Sequence, residues 1–272
     1  MGQAKRKRQT QAAILAGAPG CIYCAGINVA TSIEHMPPVI AFEGKQRPKG
    51  LEFPARLACN NGTGDSDLVA AMLARSWPDT NSDLQKNEVK KILAGVANNV
   101  PGLIEEMIPD RAAEKLARKR LNIPDDAHPF RAGPMLNKHI LTFAAKLGFA
   151  LHYEINGTPI PKGGGALVMW FSNVQALNGQ IPQELFDLLP STKTLQQGAK
   201  SVGEQFQYAH ATGERGHMLY FASFNTSFAV AGVTAVDRTI VLDATGDRFQ
   251  IFAPGDLGQS HSGSLATAEN ES

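Results

Sequence analysis

Cys21-Ile22-Tyr23-Cys24, then Ser32-Ile33-Glu34-His35-Met36-Pro37-Pro38, then Pro54-Ala55-Arg56-Leu57-Ala58-Cys59-Asn60 gather all three cysteines of the chain around one Glu-His pair. Two thiolates two residues apart can clamp one soft metal ion from a tight turn, and a third cysteine downstream can reach back to the same ion. The Glu-His pair lies inside the loop so formed. It puts a hard oxygen ligand beside an imidazole base, the two groups that metal-assisted hydrolysis of a phosphodiester uses. The local pattern around them is strand, turn and helix. An extended run from Asn28 to His35 stops at Pro37 and Pro38, which cannot continue a ladder. Phe53 to Cys59 reads as a second short strand or turn. Asp65 to Ser76 reads as a helix, with Leu68, Met72 and Leu73 at helical spacing on its core face.

These residues resemble the HNH endonucleases with their ββα-metal fold, in the phage and bacterial form that carries Cys-x-x-Cys, acidic-His-x-Pro-Pro and Cys-Asn motifs in that order. The resemblance covers roughly Cys21 to Asp67. It implies a structural zinc on Cys21, Cys24 and Cys59, with His35 as general base and Glu34 and Asn60 as ligands of a catalytic Mg²⁺ or Mn²⁺. It also implies DNA as the substrate. Two positions depart from the pattern. A second Cys-x-x-Cys turn needs a cysteine where Arg56 stands, and a guanidinium cannot lose its proton to become a ligand. The fourth zinc ligand is therefore not apparent. An asparagine expected shortly before that turn is also missing from Gly50-Leu51-Glu52-Phe53, where Glu52, and farther on Asp65 and Asp67, are acidic substitutes.

Other readings stay open on these residues. Three cysteines can be small buried apolar side chains, and Cys-x-x-Cys can be a redox pair, although the strand-then-helix setting of a thioredoxin-like unit is absent. His139 and His152 fall on a long apolar helix, where packing or hydrogen bonding is their ordinary role, yet either can supply the missing zinc ligand. His210 and His217 flank a hairpin and can face one another as a metal pair or stand solvated. Gly163-Gly164-Gly165 lacks the Lys-Ser/Thr that a phosphate loop needs.

The chain has 272 residues and a formal net charge of +1, so it is not an electrostatic nucleic-acid glue as a whole. Charge is nevertheless uneven: Lys5, Arg6, Lys7 and Arg8 form one basic cluster and Lys115, Arg118, Lys119 and Arg120 a second. Beside a phosphodiesterase centre such clusters can neutralise DNA phosphates. No apolar run reaches the length of a membrane span, and the basic start leads only into Ala12 to Ala16, too short for a secretory signal. With no even disulfide framework, a reducing cytoplasm is the expected compartment.

The expected fold is α+β: residues 1–16 a basic N-terminal helix, 17–78 an HNH-like zinc-knuckle domain, 79–254 a helical region followed by a mostly antiparallel sheet, and 255–272 a polar disordered tail. Helices are expected over Asp83 to Val100, Pro101 to Ile108, Asp110 to Leu121, Met135 to Tyr153 and Ile181 to Leu189. Strands are expected at Leu167 to Phe171, Gln205 to His210, His217 to Phe224, Phe228 to Val233, Thr239 to Leu242 and Phe249 to Phe252. The functional expectation is an HNH-type endonuclease cutting DNA. The alternatives are a catalytically inactive HNH-fold module that binds nucleic acid or protein, of phage or mobile-element origin, and an interaction protein that works through its sheet.

Overall fold

The computed structural model describes residues 10–76, 83–121, 123, 129–177, 179–187, 189, 192–194, 196–197, 200–201, 205–240 and 251–258. A short helix, α1, covers residues 10–16; the basic cluster at Lys5 to Arg8 lies outside the described residues.

A 3-10 turn at Ile22–Cys24 is followed by strand β1 (Ser32–His35), which pairs antiparallel with β2 (Glu52–Ala55) across the intervening loop 36–51. Helices α2 (Leu57–Asn61) and α3 (Gly64–Arg75) come next. The strand is shorter than the run from Asn28 suggests, because Asn28 is taken up by the turn before it. Its carbonyl accepts the Cys21 N–H at 2.8 Å and its side-chain amide donates to Cys24 Sγ at 3.2 Å. The stretch Phe53 to Cys59 divides into the end of β2 and the start of α2, with Arg56 as the N-terminal cap residue of that helix.

The helical middle matches the sequence pattern closely: α4 (Asp83–Asn99), α5 (Leu103–Met107), α6 (Arg111–Leu121) and α7 (Pro134–Asn156). Helix α7 is the axis of the molecule. Pro134 at its first turn removes one orphan donor, and the Glu106 carboxylate of α5 accepts the backbone N–H groups of Met135 at 3.0 Å and Leu136 at 2.9 Å. That places a negative charge at the positive end of the helix dipole. Gly157, at φ 72°, closes the other end with its N–H on the Tyr153 carbonyl. Between these caps Phe143 to His152 is buried without interruption, so the helix has no solvent face along that stretch. One side packs on α3 and the other on the sheet.

That sheet has six antiparallel strands in the order β10-β3-β9-β8-β7-β4: β3 (Gly165–Ser172), β4 (Thr192–Thr194), β7 (Phe206–Thr212), β8 (His217–Phe224), β9 (Phe228–Ala235) and β10 (Ile251–Phe252). A separate pair, β5 (Gln196–Gln197) and β6 (Lys200–Ser201), and helices α8 (Asn173–Leu177) and α9 (Gln183–Asp187) complete the elements. Strand β8 alternates strictly, with Met218, Tyr220, Ala222 and Phe224 inward. The strand expected at Thr239 to Leu242 is absent from its described half. Asp237 Oδ1 accepts both the backbone N–H and the hydroxyl of Thr239, at 3.0 and 2.8 Å, and starts a helical turn there; positions 241 and 242 lie outside the described residues.

Small residues let α7 lie close to the sheet. Tyr220 reaches over Gly148 and donates its hydroxyl to the Ala144 carbonyl at 2.7 Å. A Cβ on Gly148 would come within 2.9 Å of the Tyr220 ring. Gly148→Ala should therefore cost about 1–3 kcal/mol through overpacking of a rigid interface, read from urea denaturation, whereas Gly157→Asn, in open space at a left-handed cap, should cost less. Equal losses at the two positions would contradict this packing.

One buried cluster runs from Cys21 to Leu257 and takes residues from both sides of the expected boundary at 78. The start of the expected tail also belongs to it. Residues Asp256–Gly258 form a 3-10 turn, Leu257 is buried, and the Gly255 N–H donates to the Tyr23 carbonyl at 2.7 Å. Positions 259–272 lie outside the described residues. No helix among the described residues is long and apolar enough to cross a membrane.

Candidate metal centre and acid-base corner

The Cys21–Cys24 turn is shaped before any ion arrives. The Gly26 N–H closes on the Cys21 carbonyl at 2.9 Å, which requires left-handed backbone at Ala25 (φ 57°) and Gly26 (φ 72°). Helix α2 brings Cys59 to the same point. All three cysteines are buried and unoxidised, and their sulfurs lie within 4.8 Å of one another. Among the described residues this is the one group of three or more His, Cys, Asp or Glu side chains so placed. Tetrahedral zinc with Zn–S near 2.3 Å sets sulfurs about 3.8 Å apart, so a small contraction would close the set on an ion.

The surroundings favour thiolate at Cys21. The Cys59 thiol hydrogen-bonds to Cys21 and is the main cause of a Cys21 pKa lowered to about 5, helped by the backbone N–H groups of Arg56 and Tyr23 against the opposing effect of burial. Cys59 is pushed upward in turn, because it is the donor to that thiolate. Arg56 thus serves the cluster with its main chain, while its side chain is exposed. The three cysteines are positioned to bind a metal ion.

The Glu-His pair is divided by the strand that carries it. Neighbouring residues of a β-strand point to opposite faces, and β1 sends Glu34 inward and His35 outward. Glu34 is buried, with Oε1 accepting the His35 backbone N–H at 3.0 Å and Oε2 lying 3.0 Å from the Lys146 ammonium of α7. Lys146, itself fully buried, also contacts Asp67 Oδ2 of α3 at 2.6 Å. Two carboxylates and one ammonium are thus enclosed together, tying β1, α3 and α7. Burial, followed by the Asp67 charge, pushes Glu34 up to about 7 against the pull of Lys146, and burial raises Asp67 too.

His35 stands directly across the hairpin from Glu52, with Nδ1 3.9 Å from Oε1, and both side chains are about one-fifth exposed. Arg47 forms an ion pair with the same Glu52 carboxylate. The result is an accessible row of imidazole, carboxylate and guanidinium at one end of the hairpin. Asn60 follows Cys59 on α2 and is half-buried, its carbonyl accepting the Thr63 hydroxyl at 3.0 Å. Of the acidic substitutes, Glu52 lies 3.9 Å from the imidazole, Asp67 is buried on Lys146, and Asp65 is exposed on α3.

The remaining histidines stand apart from the cysteines. His139 Nδ1 lies 3.1 Å from the Ser66 hydroxyl and His152 Nδ1 2.8 Å from the Thr234 hydroxyl. Burial lowers the His152 pKa to about 4, in keeping with a neutral packing residue. In the β7–β8 register His210 opposes Tyr220 while His217 opposes Ala235 on β9, so the two do not pair. Lys146 is the residue that sequence reasoning passed over. Its signal was present as a lone cation within the apolar run from Phe143 to Leu151.

Compared with protein-family models, with curated proteins and with solved structures, the chain finds a match in none of the three.

Proposed function

We propose that this protein is an HNH-type module that engages nucleic acid, in which Cys21, Cys24 and Cys59 hold a structural zinc-like ion and the Glu34 position serves the fold. The observation that carries this reading is the Lys146 ammonium 3.0 Å from Glu34 and 2.6 Å from Asp67. The three thiolates fit a borderline-soft divalent ion. The Glu34 carboxylate does not fit a catalytic Mg²⁺ or Mn²⁺, because both its oxygens are used and it shares its enclosure with a cation. What remains partly exposed is His35, with Glu52 3.9 Å away. General-base catalysis contributes about 10²–10⁴-fold, far short of the roughly 10¹⁷-fold or more that slow phosphate-ester hydrolysis demands. Contact with phosphates falls to the exposed Lys115, Lys119 and Arg120 of α6 and weakens as salt rises.

A second reading, DNA cleavage with His35 as general base, is favoured by the accessible His35–Glu52 pair. In it His35 takes a proton from the attacking water and Glu52 stabilises the imidazolium. The test measures binding of a fluorescent DNA duplex across a salt series, together with nicking of supercoiled plasmid in Mg²⁺ and in Mn²⁺, for the wild-type chain and His35→Ala. Salt-sensitive binding without nicking, unchanged in the variant, is the expected result. Nicking that disappears in His35→Ala would transfer the conclusion to the second reading, and failure to bind at low salt would overturn the first.

A further inference from the structure

The polar groups that hydrogen-bond to the three sulfurs from outside the cluster are donors. The side-chain amide of Asn28 donates to Cys24 Sγ at 3.2 Å, and the backbone N–H groups of Arg56 and Tyr23 bond to the Cys21 sulfur. Such groups steady negative sulfur and cannot ligate a cation. Oxygens nearby are taken. The Cys21 carbonyl accepts the Gly26 N–H at 2.9 Å and the Tyr23 carbonyl the Gly255 N–H at 2.7 Å. The turn Asp256–Gly258 packs on the 3-10 turn Ile22–Cys24 and on α2, and its Asp256 Oδ2 accepts the Ala253 N–H at 2.7 Å. No described His, Asp or Glu joins the cysteines. Charge narrows the choice of ion. Cys21 is fully buried and Cys24 and Cys59 are 7% and 5% exposed, so three thiolates bring three negative charges out of water. A divalent ion leaves one of them uncompensated and Cu(I) leaves two, whereas a trivalent ion leaves none, and burial penalises net charge. Trivalent arsenic and antimony also suit the donor count, because they bind three soft sulfurs in a pyramid whose lone pair fills the fourth direction.

We infer that Cys21, Cys24 and Cys59 form a three-sulfur site for a trivalent thiophilic ion of the arsenite class, which displaces a resident divalent ion. The reaction is ligand exchange with no change of oxidation state. Three As–O bonds of As(OH)₃ break and three As–S bonds form, and the hydroxides leave as three waters. Their protons come from the thiols, or from solvent where the sulfurs held a divalent ion as thiolates. Arsenite is small and neutral, and the slight exposure of Cys24 and Cys59 marks the side from which it enters. Arg56 in place of a fourth cysteine is then what fits the site to three-coordinate ions. The inference rests on the metal reading of the three cysteines and extends it to the ion that can replace the resident one.

The experiment titrates sodium arsenite into the reduced, zinc-loaded full chain, reading released Zn²⁺ with a chromophoric chelator and the bound species by native mass spectrometry. The wild type should release one Zn²⁺ for each arsenite bound and gain the mass of one arsenic less three protons. Cys59→Ala and Cys24→Ser should each lower arsenite affinity by about 100-fold or more, since even outer-shell partners of a metal site are worth about 10–100-fold. Phenylarsine oxide, which needs only two sulfurs, should bind Cys59→Ala nearly as well as wild type, showing that the Cys21–Cys24 pair is still available there. Arsenite affinity unaltered by Cys59→Ala would reduce the site to an ordinary dithiol and overturn the inference. A chain that keeps its Zn²⁺ and takes no arsenite would also overturn it, while leaving the metal reading in place. A chain that holds neither Zn²⁺ nor arsenite would overturn both.

Discussion

Lys146→Met should destabilise the protein by about 3–5 kcal/mol at pH 8, because it leaves two enclosed carboxylates without their cation. In a chain of this size that is a fall in Tm of about 6–20 °C. The effect should depend on pH with a definite sign. Glu34 has an ordinary value of 4.5 and is pushed up to about 7 in the folded chain, so the folded state binds its proton more tightly than the unfolded state. The stability it contributes is complete below about pH 4.5 and is lost as pH rises through about 7. Removing the Lys146 ammonium takes away the main influence holding Glu34 down, and extends that loss to higher pH. Lys146→Met should therefore be closest to wild type in acid and farthest from it in mild base. Glu34→Gln should flatten the slope between pH 4.5 and 7 in the otherwise native chain. Urea denaturation at several pH values reads both effects, and a Lys146→Met deficit that does not vary with pH would contradict the enclosed triad.

Cys59→Ala should have an effect of similar size by another route. Structural zinc contributes about 10–16 kcal/mol of apparent binding free energy in small zinc-finger peptides. Here the turn is also held by the common core, which includes Ile22, Tyr23 and Phe149, so part of that energy is not needed for folding. If a third of it is expressed as stability, Tm falls by about 10 °C. Hydrogen exchange should locate the loss. Amides of Tyr23 to Ile27 should lose protection, while those of α7 and β8, buried by the sheet, should keep theirs. Uniform loss across the chain would show that the cluster nucleates the whole fold, and no loss anywhere would show that it carries no ion.

Much of this was legible in the sequence, and the exceptions have physical causes. The cysteine spacing, the Pro37-Pro38 stop and the helices from Asp83 to Asn156 followed from local rules, since turn chemistry, proline geometry and apolar periodicity act over a few residues. The antiparallel sheet followed from alternation, which β8 obeys throughout. The Glu34–Lys146 and Asp67–Lys146 pairs span 112 and 79 positions, beyond the reach of any local pattern. Strand alternation also places Glu34 and His35 of β1 on opposite faces, one inward and one outward. Asn28 was misplaced in the strand because its bond to Cys24 Sγ is a property of the assembled turn. The polar composition after Gly255 hid Leu257, whose burial docks the turn Asp256–Gly258.

The central claim is that the three buried thiolates form a resident metal centre. Elemental analysis combined with native mass spectrometry of the freshly purified, desalted chain tests it most directly. The account predicts one zinc-class ion per chain, retained through desalting and absent from Cys59→Ala. A metal-free chain that unfolds at the same temperature with and without added Zn²⁺ would contradict it.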